Sequence, residues 1–151
     1  MKEMKNMSNQ LENPLYLASV RMWSEDVQLV SVAESLDWPR TNLHVKGFPV
    51  RYNGVLNNRI AARHYVALED EKFENWNGVT TWIGCCLGRF SKEDWIKPLL
   101  RSSKIEAVFW ITIIDTGTIP KLKLGRDVKN KIDDLNIGIK IDNMLKNDIL
   151  S

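Results

Sequence analysis

Ile105–Asp115, IEAVFWITIID, is the longest apolar run in the chain. On an alternating pattern Val108, Trp110, Thr112 and Ile114 share one face, and Ala107, Phe109, Ile111 and Ile113 share the other. Both faces are apolar, and β-branched and aromatic residues dominate. A buried helix would need a longer run, and this one stops at Asp115-Thr116-Gly117, a turn signal. The segment therefore reads as a strand covered on both sides, the spine of the fold. Its two apolar faces make a demand. If helices pack on only one side of the sheet, Phe109 or Trp110 faces outward, and that patch becomes a docking surface.

Downstream of the spine, Thr118–Leu124 (TIPKLKL) reads as its hairpin partner, with Lys121 and Lys123 on one side and Leu122 and Leu124 on the other. Pro120 suits an edge. Val128, Ile132 and Leu135 mark a helix ended by Asn136, and Ile137, Ile139 and Ile141 alternate as a last strand. Upstream, Trp95, Ile96, Leu99 and Leu100 give a helix that starts at the capping box Ser91–Asp94 and is kinked or split by Pro98. Before it, Val79, Trp82, Ile83, Cys86 and Leu87 fall at i, i+3, i+4, i+7 and i+8, with Asn77 as the N-cap and Gly88 as the C-cap.

At the start of the chain, Leu15–Trp23 alternates with Tyr16, Ala18, Val20 and Met22 on one face. Ser24 is placed to cap a helix through Leu29, Val32, Ala33 and Leu36, which ends near Asp37 because Pro39 follows. Arg40–Arg63 holds turn chemistry at Gly47, Pro49, Asn53-Gly54 and Asn57-Asn58, with short strands expected at His44–Lys46 and Val50–Tyr52. Arg63–Leu68 is a firmer strand, and Glu69–Asn77 reads as an acidic loop holding Phe73 and Trp76. The expected fold class is α+β. A mixed, mainly antiparallel sheet carries amphipathic helices in the order β-α-β(β)-α-α-β-β-α-β. Residues 1–14 form a flexible arm, 15–143 a single domain and 144–151 a short tail.

The bulk numbers exclude several classes. The chain has 151 residues, 44% hydrophobic and 26% charged, as a soluble single domain does. A net charge of +2 argues against a nucleic-acid or acidic-membrane partner. No run is long enough to span a bilayer, and MKEMKNMSNQLENP lacks the apolar core of a secretory signal, so a cytoplasmic location is expected. The two cysteines, Cys85 and Cys86, are adjacent, which suits a reducing compartment.

No motif for catalysis, metal or phosphate stands out. His44 and His64 are too far apart for a compact zinc pattern, and no cofactor is expected. Cys86 falls on the apolar helix stripe as a small hydrophobe, while Cys85 is the thiol with any prospect of reactivity. Glu25-Asp26 and Glu93-Asp94 sit where helix N-termini favour carboxylates. Asp115 is accounted for by its turn. Lys121, Lys123, Arg126, Lys129 and Lys131 are the best candidate for an anion surface, with a solvated basic face as the favoured reading. The segment with the most surplus chemistry is the acidic-aromatic one: Glu69, Asp70, Glu71, Phe73, Glu74 and Trp76. Tryptophan rimmed by carboxylates is the composition of a hot spot for a basic partner. The competing possibility tucks both rings onto the core. A ligand pocket in the meander, lined by Arg51, Tyr52 and Arg59, is the alternative site.

The stretch LASVRMWSEDVQLVSVAESLDWPRTNLHVKG resembles the opening of a bacterial family known as domain of unknown function 4279. Leu36-Asp37-Trp38-Pro39-Arg40-Thr41 stands where that family has a helix ending in L-G-(x)-P-T, and Lys46-Gly47 where a segment closes on K-G. Asp37 replaces the family glycine. HYVALED resembles the family strand W-x-L-E-S, with Tyr65 in place of tryptophan. The likeness spans about residues 15–143. The family carries no assigned catalytic residues, and many members resemble immunity genes beside contact-delivered toxins. The resemblance thus implies a non-enzymatic immunity protein that binds and neutralises a cognate toxin domain. A regulatory or small-ligand-binding domain is the alternative, and an enzyme the least favoured.

Overall fold

A computed structural model of the chain describes residues 15–52, 55–115 and 123–145. The described elements are, in order, β1 (Leu15–Ser24), α1 (Leu29–Leu36), β2 (Arg40–His44), β3 (Pro49–Tyr52), β4 (Val55–Ile60) and β5 (His64–Phe73). They continue with α2 (Trp76–Lys92), α3 (Ile96–Arg101), β6 (Glu106–Asp115), α4 (Arg126–Asp134) and β7 (Gly138–Leu145). The fold is α+β, with a mainly antiparallel five-stranded sheet ordered β2-β5-β1-β6-β7. Among the described strands only β6 and β7 run parallel, and α4 makes the crossover such a pair needs. β3 and β4 pair separately as a two-stranded antiparallel sheet.

The middle strand is β1 rather than β6. Leu15–Trp23 pairs with Ile114–Glu106 on one side, and Tyr16–Ser24 pairs with Phe73–His64 on the other, across a bulge between Ala18 and Val20. Both edges of β6 are taken, by β1 and β7. The hairpin partner expected over Thr118–Leu124 lies largely outside the described residues, and Lys123 and Leu124 carry no strand. The same is true of the arm 1–14 and of 146–151, whereas β7 runs two residues past the domain end expected at Asn143.

All four described helices bury their apolar residues against one face of the sheet. Tyr16, Ala18, Val20 and Met22 of β1, Val66 and Leu68 of β5, and Ala107, Phe109, Ile111 and Ile113 of β6 supply that face. Leu29, Val32, Ala33 and Leu36 of α1 meet them, with six residues of α2 from Val79 to Phe90, Ile96 and Leu100 of α3, and Ile132 and Leu135 at α4. Trp82 packs edge-on against Phe109 with centroids 5.7 Å apart. Each fully buried side chain of this size stabilises the fold by about 1.5–3 kcal/mol.

Local chemistry shifts several helix ends from their expected places. Ser24 closes β1 instead of capping a helix. Its buried hydroxyl donates to the Lys104 carbonyl at 2.6 Å and accepts the Val27 N–H at 2.9 Å. α1 ends as expected at Asp37, which adopts the left-handed conformation at φ 53°. α2 starts at Trp76, one turn position before the expected cap. Asn75 is its N-cap, and its side-chain oxygen accepts the Gly78 N–H at 2.7 Å. The helix runs through Gly88 and Ser91 to Lys92, so the expected capping box dissolves into its C-terminal end. Pro98 is the third residue of the short α3, where a backbone N–H has no helical acceptor, and no kink is needed.

Candidate functional site

The side of the sheet opposite the helices carries no described helix. Strand alternation places Leu17, Ser19, Arg21 and Trp23 of β1 there, with Tyr65 and Ala67 of β5 and Asn42 and His44 of β2. Val108, Trp110, Thr112 and Ile114 of β6 join them, with Lys140 and Asp142 of β7. Among the described residues the spine strand is thus covered by helices on one face, not two, and Trp110 is the large side chain turned away from the core.

The register explains the cluster. Arg21 pairs with Val108, Ser19 with Trp110 and Trp110 with Lys140, so a cation from each neighbouring strand reaches the same indole. The Arg21 guanidinium carbon lies 4.0 Å from the Trp110 ring centroid, and the Lys140 Nζ lies 4.1 Å from it. Arg21 Nε also donates to Ser19 Oγ at 3.3 Å. Toward the other edge, Trp23 and Tyr65 pack at 5.3 Å between centroids, and His44 and Tyr65 at 4.9 Å. Partial burial of the His44 imidazole lowers its pKa below the ordinary 6.5. Arg63 reaches over Trp23 at 5.9 Å and forms an ion pair with Glu106 at 3.5 Å.

These side chains border a depression of about 490 Å³, walled by Arg21, Trp23, Thr41, His44, Tyr65 and Trp110. A second, of about 260 Å³, adjoins it under the β3–β4 sheet, where Val50, Arg59, Ile60 and Ala61 face Trp23 and Tyr65. Beside it Phe48 and Ile60 are 63% and 57% exposed, which extends the apolar surface past the rim. The combined surface carries tryptophan, tyrosine and arginine, the residue types that dominate protein-binding hot spots.

The acidic-aromatic segment lies elsewhere and is not a loop. Glu69–Phe73 completes β5, and Trp76 opens α2. Phe73 packs on Trp82 at 6.1 Å, and Trp76 packs on Tyr16 at 5.9 Å while its Nε1 donates to the Lys123 carbonyl at 2.7 Å. Both rings are spent on the core side. Glu71 and Glu74 remain exposed, and the side chains of Glu69 and Asp70 lie outside the described residues. Of the alternative pocket, Arg59 does line the smaller depression, whereas the side chains of Arg51 and Tyr52 lie outside the described residues.

His64 Nδ1 accepts the Lys46 N–H at 3.3 Å. Cys86 is buried and Cys85 exposed, and neither is in a disulfide. Lys123, Arg126, Lys129 and Lys131 are exposed, while Lys121 lies outside the described residues. Asp134 holds Arg101 at 2.9 Å. Among the described residues no group of three histidine, cysteine or acidic side chains is placed to hold a metal ion, and no helix is long and apolar enough to cross a membrane. Of the open face the sequence named only the spine strand's outward patch, as a docking surface conditional on one-sided helix packing; its other members are scattered over five strands. Its one sequence signal was the double apolar alternation of Ile105–Asp115. No protein-family model matches the chain, and no curated protein or solved structure matches it.

Proposed function

We propose that this chain is a non-catalytic binding protein of the immunity type, which holds a cognate protein toxin domain against the open face of its sheet and blocks it. The observation that carries the reading is the half-buried Trp23–Tyr65 pair and the Arg21–Trp110–Lys140 group on a sheet face that no described helix covers. An uncovered face bearing such residues favours a macromolecular partner. The likeness of LASVRMW to HVKG and of HYVALED to an immunity-associated family supplies the class of partner. The protein acts in the cytoplasm, where such a toxin would arrive.

Co-expression with the toxin domain encoded beside it tests the reading. Growth is restored and the two proteins elute together from gel filtration. Trp23→Ala with Tyr65→Ala abolishes both effects while leaving the fold intact. Absence of rescue together with absence of a complex sinks the proposal. A second reading, a small-ligand domain, draws on the two adjoining depressions beside Arg59. It expects saturable binding of a small molecule and no protein complex.

A further inference from the structure

The electrostatics of the open face narrow the chemistry of what docks there. Lys46 is matched by Glu25 at 3.2 Å and Arg63 by Glu106 at 3.5 Å. Arg21 and Lys140 have no carboxylate partner among the described residues. Each lies about 4 Å from one ring centroid, so the two positive charges stand within about 8 Å of each other. Like charges this close repel, and the ring quadrupole of Trp110 offsets only part of that. Among the described residues no carboxylate pairs with either cation, and the counter-charge that fits spans both.

We infer that Arg21 and Lys140 grip two neighbouring carboxylates on an acidic segment of a protein partner, with Trp110 as the floor between them. The inference rests on the proposed docking face and names the chemistry of its occupant. The adjoining depression of about 490 Å³ takes a bulky side chain next to the acidic pair, against Trp23 and Tyr65. A single-stranded nucleic acid fits less well. It needs open aromatic faces for stacking and a track of cations. Here cations lie over the Trp110 ring, and Trp23 and Tyr65 lean on each other at 40°. Asp142 follows Lys140 on the same face of β7, and the net charge is only +2. An extended polyanion would meet that carboxylate, and a short acidic segment need not.

Nuclear magnetic resonance on the full isotope-labelled chain tests this with a hexaglutamate peptide as the probe and a decathymidylate oligonucleotide in parallel. Hexaglutamate is expected to shift the Trp110 indole N–H and the backbone amides of residues 21 and 140. Its affinity falls about tenfold or more in Arg21→Gln/Lys140→Gln, and falls again on raising salt from about 20 mM to about 0.5 M. The variant's unperturbed resonances elsewhere report that it is folded. Tighter binding of the oligonucleotide overturns the inference in favour of nucleic acid. Hexaglutamate shifts that survive the double substitution overturn it as well. Toxin rescue lost in Trp23→Ala/Tyr65→Ala but untouched in Arg21→Gln/Lys140→Gln leaves the docking face standing and removes the carboxylate grip.

Discussion

Phe109 and Trp110 are consecutive residues of β6 that face opposite worlds. Phe109 is fully buried against Trp82 at 5.7 Å, while Trp110 holds Arg21 at 4.0 Å on the side of the sheet that no described helix covers. The two positions therefore separate what folding requires from what the surface keeps for binding. Phe109→Ala should cost about 3–5 kcal/mol through the cavity it leaves. Trp110→Ala should cost about 1–2 kcal/mol, the sum of two exposed cation–π contacts. Urea denaturation of the two variants checks the order, and equal losses would mean that the Trp110 face is packed after all.

Gly78 and Gly84 share α2 but should respond to alanine with opposite signs. A Cβ at Gly78 would stand 2.9 Å from Phe73 Cδ1, so the ring that anchors the helix start must move. Overpacking of this kind costs about 1–3 kcal/mol, more than the helix propensity gained. A Cβ at Gly84 meets nothing within 4 Å, and Gly84→Ala should stabilise by about 0.5–1 kcal/mol. Thermal denaturation reads both, and a shared sign refutes the close approach at Phe73.

Asp37 closes α1 at φ 53°, and its N–H bonds to the Ala33 and Glu34 carbonyls. A left-handed C-terminal position is where glycine has no steric cost. Asp37→Gly should raise stability by about 0.5–1 kcal/mol, measured by chemical denaturation. A loss would show that the Asp37 side chain holds something more than the helix end.

His44 gives the fold a pH dependence. Burial lowers its pKa in the folded state below the ordinary 6.5, so the unfolded chain binds the proton more tightly. The contribution of the neutral imidazole is fully present above pH 6.5 and is lost as pH falls through that value toward the lower folded one. Between about pH 7.5 and about pH 5 the melting temperature should drop further in the native protein than in His44→Gln. Parallel drops would place the titration elsewhere.

The core was legible in the residues because its spacing is regular. Tyr16, Ala18, Val20 and Met22 alternate and are buried, and Val79, Trp82, Ile83, Cys86 and Leu87 keep helical spacing and are buried. What escaped was non-local. Nothing within IEAVFWITIID says that β1 and β7 take its two edges, which makes β1 the middle strand. In the acidic segment Phe73 and Trp76 find partners, Trp82 and Tyr16, that no local pattern announces. The Arg21–Trp110–Lys140 group comes from three strands brought together by register alone, a relation that exists only after the sheet has formed.

The placement of β1 has a consequence for how the protein is made. Leu15 pairs with Ile114, and Ser24 pairs with His64, so β1 is flanked, among the described strands, only by strands that emerge much later. During translation β1 waits with both edges unsatisfied and Tyr16, Val20 and Met22 uncovered. Pairings of such long sequence separation close slowly, since loop-closure entropy precedes any gain. The nascent chain thus passes through an interval in which β1 is open to foreign strands. Production of this protein should be more sensitive to translation rate and chaperone supply than the stability of the finished fold would suggest.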